Sequence, residues 1–311
     1  MGNPLTSASF IRLMDDRLTK LFTKTFSEYP NVIPEIGYTV IKDKKLWTEY
    51  FGIGAVPDPQ LFNGTIQFQS VYPTYHYRVE TKEYAGGIVC ERKFLEGQRY
   101  EKIDGDTIGL AEAATRKRNK LAVEPFAYAD SSAFTFVQSE EGVAWASNSH
   151  TTKAVGVSTS TGFDNLATLP FNAVNLEVLR LQHVRLKNDI GELIDINPDT
   201  IIHGPGLDEA VWQVRTAEGD VDSDLNNQNF QRGKWKTLRL PQLDAYFSGD
   251  CKSWGIADSR LLKKFLIWHD FIPIEFEAWN DPSTKMRQYS DYFSCGNGPI
   301  GWQGIVWSVV T

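Results

Sequence analysis

The sequence predicts a mixed α+β fold, and three features of the chain support that prediction. A long helical segment at about residues 107–124 follows a strand-like segment and precedes an extended one. An amphipathic helix is predicted near the N-terminus, at residues 7–27. The second half alternates short helical segments with short runs rich in β-branched and aromatic residues, which are typical of strands.

The N-terminal helix carries a single apolar stripe. Its large apolar side chains recur every three or four residues, at Phe10, Met14, Leu18, Leu21, Phe22 and Phe26. Charged residues lie opposite, and Pro30 and Pro34 end the helix. Because such a stripe needs a partner surface, two interpretations stay open. The helix docks on the core of its own subunit, or it is an arm that docks on a neighbouring subunit.

Residues 65–93 have the alternation of β-structure and predict a long two-stranded ribbon. Phe68, Tyr75 and Tyr77 are prominent aromatic residues of this segment. Nothing adjacent in the sequence offers a sheet to cover the ribbon, and an isolated hairpin is only marginally stable in water. We therefore expect it to be mobile in the free subunit and ordered against a neighbour, with these three aromatic residues as anchors.

The long helix is predicted to begin after the turn formed by residues 104–107, with Asp104 and Asp106 near the positive end of its dipole. A basic cluster occupies its second half, at Arg116, Lys117, Arg118 and Lys120. Cations suit that half of the helix, so one interpretation is a solvated face. The other is a patch that faces nucleic acid.

The second half of the chain predicts a further set of short elements. Two helices are expected at residues 173–187 and 207–215, from their apolar periodicity. Strands are expected at residues 192–196, 200–203, 237–240, 262–269, 274–278 and 302–310.

The order of these elements resembles the major capsid proteins of tailed phages, in particular the Mu-like major head subunit type. A strand and an acidic turn lead into a long helix. The helix is followed by an acidic residue, a glycine, hydrophobic and small residues, and a histidine. Here that motif runs from Glu141 and Gly142 through Trp145 to His150. The resemblance covers the chain from about Trp47 to its end and implies the Hong Kong 97, or Johnson, fold.

The resemblance also implies a division of the chain. Residues 1–50 would be an N-terminal arm, and 51–103 an extended β-hairpin loop. Residues 104–170 would form a peripheral domain with its spine helix, 171–282 an axial domain, and 283–311 the return strands of the peripheral domain. Contacts between subunits would involve Phe10, Met14, Leu18 and Phe22 of the arm and Phe68, Tyr75 and Tyr77 of the loop. The basic cluster at residues 116–120 would face the inside of a shell.

Composition restricts the other classes of function. The net charge of −7 argues against a generally basic nucleic-acid binder, so any such contact must be local. The three cysteines are too few and too scattered for a disulfide framework or a zinc site, and no apolar run is long enough to span a membrane. Asp220, Asp222 and Asp224 match a calcium loop only in spacing, so they are interpreted as a solvated loop. We expect neither a metal nor another cofactor.

No enzyme signature is present in the sequence. Motifs for zinc hydrolases, serine hydrolases and phosphate-binding loops are absent. The five histidines lie in five separate segments, at positions 76, 150, 183, 203 and 269. A hydrolase would require some of them to converge in space.

The resemblance therefore implies a non-enzymatic major head protein that assembles with itself, as hexamers and pentamers, into an icosahedral shell around double-stranded DNA. Portal, scaffold and decoration proteins are further expected partners. The location would be the virion, after assembly in the host bacterial cytoplasm. An encapsulin-like nanocompartment shell is the alternative, and a soluble hydrolase is a third hypothesis from a different class.

Overall fold

Helices and strands alternate along the part of the chain that the computed structural model describes: residues 7–66, 68, 70–91, 100–132, 137–219, 228–247, 251–281 and 286–310. For residues 7–13, Ile53 and Gln138 this description covers the backbone alone. The helices are α1 (Ser7–Glu28), α2 (Val32–Ile36), α3 (Tyr100–Ala127), α4 (Ala173–Val184), α5 (Asp208–Thr216) and α6 (Ser259–Phe265). The strands are β1 (Thr39–Ile41), β2 (Trp47–Ile53), β3 (Pro73–Glu80), β4 (Lys82–Cys90), β5 (Val137–Ser139), β6 (Leu166–Ala167), β7 (Thr200–His203), β8 (Lys236–Arg239), β9 (Trp254–Ala257), β10 (Leu266–Asn280), β11 (Arg287–Pro299) and β12 (Ile305–Ser308). The prediction of a mixed α+β fold is confirmed.

The described strands form three sheets, with the orders β1-β10-β11-β4, β6-β12-β9-β7-β8 and β2-β3-β5. The five-stranded sheet is buried on both faces. Ile305 and Trp307 pack on one side against Leu121 and Phe126 of α3. On the other side, α4 and α5 cover the sheet with residues that include Leu176, Leu179, Val211 and Val214. Burial on both faces explains why its central strands are almost continuously apolar.

The four-stranded sheet is built around the long hairpin of β10 and β11. Helix α3 lies against one of its faces, and α1 runs beside α3 in the same direction. The direction follows from the contacts. Met14 clusters with Ile103, and Phe22, about two turns further along α1, clusters with Leu110. After the end of α1, the chain still contacts α3, because the side chain of Asn119 accepts a hydrogen bond from the backbone N–H of Val32 at 3.2 Å.

The third sheet corrects the predicted ribbon at residues 65–93. Strand β3 pairs with β2, which precedes it, whereas β4 pairs with β11 near the end of the chain. The two halves of the predicted ribbon therefore belong to different sheets. The real hairpin is formed by β2 and β3, and residues 54–72 connect them. Sequence reasoning missed this pairing because glycines and prolines at residues 52–59 obscured the end of β2.

The predicted start of the long helix was wrong. Helix α3 begins at Tyr100, so residues 104–107 lie inside it and do not cap it. The acidic turn was a reasonable inference from the Asp-Gly-Asp-Thr sequence. Tertiary contacts override it, because Asp104 forms an ion pair with Arg17 of α1 and Ile103 is buried between the helices and the sheet.

Three other element predictions differ from the structure. The strand expected at residues 192–196 is reduced to an isolated bridge between Lys187 and Leu193. The strand expected at 262–269 begins as α6, because the Asp258 side chain caps residues 260 and 261, and only from Leu266 does it continue as β10. That strand also absorbs the one expected at 274–278. The strand at 200–203 is confirmed as β7.

Candidate assembly interface

The apolar stripe of α1 is turned into its own subunit. Met14, Leu18 and Phe22 are each almost fully buried, against residues of α3 and of the β10–β11 hairpin. An ion pair between Arg287 and Asp15 fastens the same helix to β11. For these three side chains the structure therefore favours docking on the core of the same subunit over an arm on a neighbour. The side chain of Phe10 lies outside the described residues.

The tip of the β2–β3 hairpin is the most apolar exposed segment of the described chain. Leu61 is 96% exposed, Phe68 is 94% exposed, and Phe62 and Ile66 are about 70% exposed. Isolated exposed apolar residues are ordinary, but a concentration on one projecting loop marks an interaction surface. Phe68, which the sequence singled out as an anchor, is one of these exposed side chains, and its contact with a neighbour stays a prediction.

The base of this hairpin is fastened to the rest of the subunit. The side chain of Asp189 accepts a hydrogen bond from the backbone N–H of Ala55 at 2.9 Å. Gly54 is required at this junction, because a Cβ there would lie 2.4 Å from the carbonyl oxygen of Tyr72. These contacts tie the base of the hairpin to its own subunit, whereas the described residues of the tip make no hydrogen bond of this kind. The expected mobility in the free subunit stays a prediction.

Strand β3 carries a second group of anchors. The Tyr75 hydroxyl lies 2.7 Å from the Thr151 hydroxyl. The Glu140 carboxylate accepts hydrogen bonds from Lys153 at 2.5 Å and from the backbone N–H of His76 at 3.1 Å, and these hold the pKa of Glu140 down at about 2. Tyr75 is thus already engaged within its own subunit.

Tyr77 is half-buried and lines a cavity of about 450 Å³. Burial raises the pKa of its phenol, and the nearby Glu141 carboxylate raises it further. Its position within the subunit does not match the anchor on a neighbour that the sequence suggested. Of the three predicted aromatic anchors, Phe68 alone projects into solvent.

The motif from Glu141 to His150 closes on itself beside that cavity. His150 Nδ1 lies 3.1 Å from Glu141 Oε2, and Glu141 Oε1 accepts a hydrogen bond from the backbone N–H of Thr151 at 2.6 Å. The His150 ring stacks on Trp302 with a centroid distance of 4.4 Å. Both Glu141 and His150 are about 2% exposed, so their contact satisfies buried polar atoms and holds the irregular segment between them in place.

The basic cluster of α3 divides into exposed and internal members. Arg116 and Lys117 are exposed, and Lys120 is half-buried. Arg118 is 11% exposed and donates to both carboxylate oxygens of Asp270, at 3.0 and 3.3 Å. Its guanidinium also lies 5.3 Å from the ring centroid of Trp268. Arg118 therefore ties α3 to β10, and we remove it from the surface that the sequence assigned to nucleic acid.

The histidines stay in separate environments. Burial lowers the pKa of His183 to about 4, and its Nε2 lies 3.1 Å from the carbonyl oxygen of Gln303. Burial also lowers the pKa values of His203 and His269. Within the described residues no three His, Cys, Asp or Glu side chains are placed to hold a metal ion. Asp222 and its acidic neighbours lie outside those residues. No described helix combines the length and apolar character that crossing a membrane requires.

No family model matches the chain, and no curated protein matches it in sequence. Solved structures do match it in shape. The procapsid subunit of bacteriophage JBD30 aligns with a TM-score of 0.55 and 13% identity, over 98% of this chain and 76% of the other. The mature capsid subunit of bacteriophage PhiM1 gives 0.57 and 12%, over 91% and 88%. A virus-like particle from Pyrococcus furiosus gives 0.51 and 9%, over 95% and 99%.

The chain has the Hong Kong 97 capsid fold. At identities this low, the matched structures and this chain share the fold alone. The assignments of α3 as the spine helix and of the β2–β3 hairpin as the extended loop stay predictions. The Mu-like subtype remains a prediction from the motif order.

Proposed function

We propose that this chain is the major capsid protein of a tailed phage and that many copies assemble into an icosahedral shell. One observation carries the proposal. This chain has a fold that solved capsids share, and four large apolar side chains of its β2–β3 hairpin are exposed to solvent: Leu61, Phe62, Ile66 and Phe68. Exposure of this kind is unfavourable in a free subunit, and burial against another copy removes it.

In this proposal the tip of the hairpin lies across the neighbouring subunit, while its base stays fixed by Asp189 and Glu140. A base that is already fixed reduces the conformational entropy lost when copies associate, whereas ordering of the tip adds to that loss. The domain boundaries inferred from the sequence serve as the working division, with the hairpin shortened to residues 47–80. Hexamers and pentamers would be the assembly units.

Double-stranded DNA is the proposed content of the shell. Arg116 and Lys117 are exposed cations in the second half of α3, the proposed spine helix, and supply the local basic surface that a chain of net charge −7 requires. Contact with DNA would be through phosphates and independent of sequence. Portal, scaffold and decoration proteins are proposed as further partners, and the virion as the location.

Purification followed by electron microscopy tests the proposal. We expect closed particles of uniform diameter that contain nucleic acid when isolated from infected cells. A small, soluble oligomer at every concentration would refute the capsid function. Closed particles that enclose proteins and no nucleic acid would instead support the nanocompartment interpretation.

A further inference from the structure

One face of the four-stranded sheet carries no helix in the described part of the chain. Helices α1 and α3 cover the opposite face, where Ile88, Tyr289 and Phe276 are packed. Strand register places the other side chains of the same strands on the uncovered face. One row there is Glu275, Tyr292 and Ala85, the next is Glu277, Ser290 and Gly87, and the third is Trp279, Gln288 and Val89.

This uncovered face is acidic, with apolar side chains at one end. Glu275 and Glu277 are exposed and pair with no cation among the described residues, and Glu83 lies further along β4. Trp279 is 45% exposed and Val89 is 54% exposed. The middle of the face consists of small side chains, Ala85, Gly87 and Ser290, so it is flat enough for close approach by another chain.

A surface of opposite charge lies next to β1, at the edge of the same sheet. Residues 42–46 connect β1 to β2, and together with Trp47, the first residue of β2, they form a corner that is basic and apolar. Lys42 and Lys44 are exposed, and neither has a carboxylate partner among the described residues. Leu46 is 65% exposed and Trp47 is 47% exposed. The corner thus combines unpaired positive charge with apolar area, as the uncovered face combines unpaired negative charge with apolar area.

We propose that the uncovered sheet face of one subunit receives the Lys42–Trp47 corner of a second copy of this chain. The corner and the face are different surfaces of the molecule, so the contact is head-to-tail and repeats from copy to copy, which is the kind of contact that closes rings. Nucleic acid is excluded as the occupant by the negative charge of the face. This inference rests on the proposed self-assembly and assigns one of its contacts.

Paired charge reversals test the contact. We expect the double variant Lys42→Glu, Lys44→Glu to raise the protein concentration needed for half-maximal assembly by about tenfold, because attraction is replaced by repulsion. Glu275→Lys, Glu277→Lys should do the same. All four changes in one chain keep the net charge of −7 and restore opposite charges across the contact, so assembly should return to near the wild-type concentration.

The matched control reverses two lysines elsewhere. Lys20 and Lys24 are exposed on α1, and Lys20→Glu, Lys24→Glu combined with Glu275→Lys, Glu277→Lys also keeps the net charge. This combination should not rescue assembly. Circular dichroism and thermal unfolding check that every variant is folded.

Three results would overturn the inference: unchanged assembly of both double variants, failure of the fourfold variant to recover, or equal rescue by the control. Failure of the wild-type protein to form particles would refute the proposed function instead, so the two failures are distinguishable.

Discussion

Exposed apolar area at the tip of the β2–β3 hairpin should determine how readily the subunits assemble. The perturbation is Leu61→Ser with Phe68→Ser. Both side chains are at least 94% exposed in the isolated subunit, so their loss should leave its free energy of unfolding almost unchanged. Burial of a leucine or phenylalanine is worth about 1.5–3 kcal/mol, so the pair contributes about 3–6 kcal/mol to each contact.

Part of that free energy is offset when the tip becomes ordered, which leaves about 3 kcal/mol for the contact. Since about 1.4 kcal/mol corresponds to a factor of ten, assembly should require a subunit concentration about a hundredfold higher. Light scattering against protein concentration measures this, with urea unfolding of the unassembled subunit as the check on folding. Leu61→Met with Phe68→Leu is the matched control, because it keeps the apolar area and should assemble like the wild type. Normal assembly of the serine variant would refute the assignment of the tip as an intersubunit surface.

Three further predictions concern separate parts of the subunit. Arg118→Gln should lower the free energy of unfolding by about 2 kcal/mol, because it leaves Asp270 without its partner. Arg116→Gln with Lys117→Gln should leave the free energy of unfolding unchanged and should weaken DNA retention, most strongly at low salt. Equal losses of stability for the two variants in chemical unfolding would contradict this prediction. Gly54→Ala places a Cβ against the carbonyl oxygen of Tyr72, so it should loosen the base of the hairpin and speed hydrogen exchange at residues 47–55. Gly109→Ala is the control, because the added Cβ meets open space and hydrogen exchange should not change. His183 has a pKa of about 4 when folded and near 6.5 when unfolded, so protonation favours the unfolded state and stability should fall as pH drops from about 6.5 to 4, by up to about 3 kcal/mol. Urea unfolding across that pH range should show the loss in the wild type and a flatter profile in His183→Gln; parallel profiles would contradict the assignment.

The sequence predicted the fold class and the two longest helices because the strongest signals are local. The apolar period of α1, the long helical segment of α3 and the compact β7 strand are all set by neighbouring residues. The motif from Glu141 to His150 was also found in the sequence, and its two ends do meet, with His150 Nδ1 3.1 Å from Glu141 Oε2.

The pairing of strands could not be read from local patterns. Strand β4 looks continuous with β3, since only Thr81 separates them, yet it pairs with β11 some 200 residues later. Strand β2 was hidden because its glycine, Gly52, and the prolines that follow it are typical of turns. Such pairings are decided by long-range packing, which has no signature in a single sequence.

The exposure of a side chain could be predicted from the sequence in a loop. On a helix or a strand it depends on tertiary contacts and could not be predicted. Phe68 lies at a loop tip and is exposed as expected. Arg118 is two residues from Arg116, but its side of the helix faces Asp270, and no local signal in the basic run separates the two. The acidic face formed by Glu275 and Glu277 emerges only when the register of β10, β11 and β4 is known.

The most direct test of the central claim is a cryo-electron microscopy reconstruction of the purified, assembled protein. We expect an icosahedral shell built from this fold, with Phe68 of each subunit buried against a neighbouring copy and α1 docked on its own spine helix. A folded protein that stays a monomer or small oligomer, or a shell in which Phe68 remains in solvent, would contradict the account.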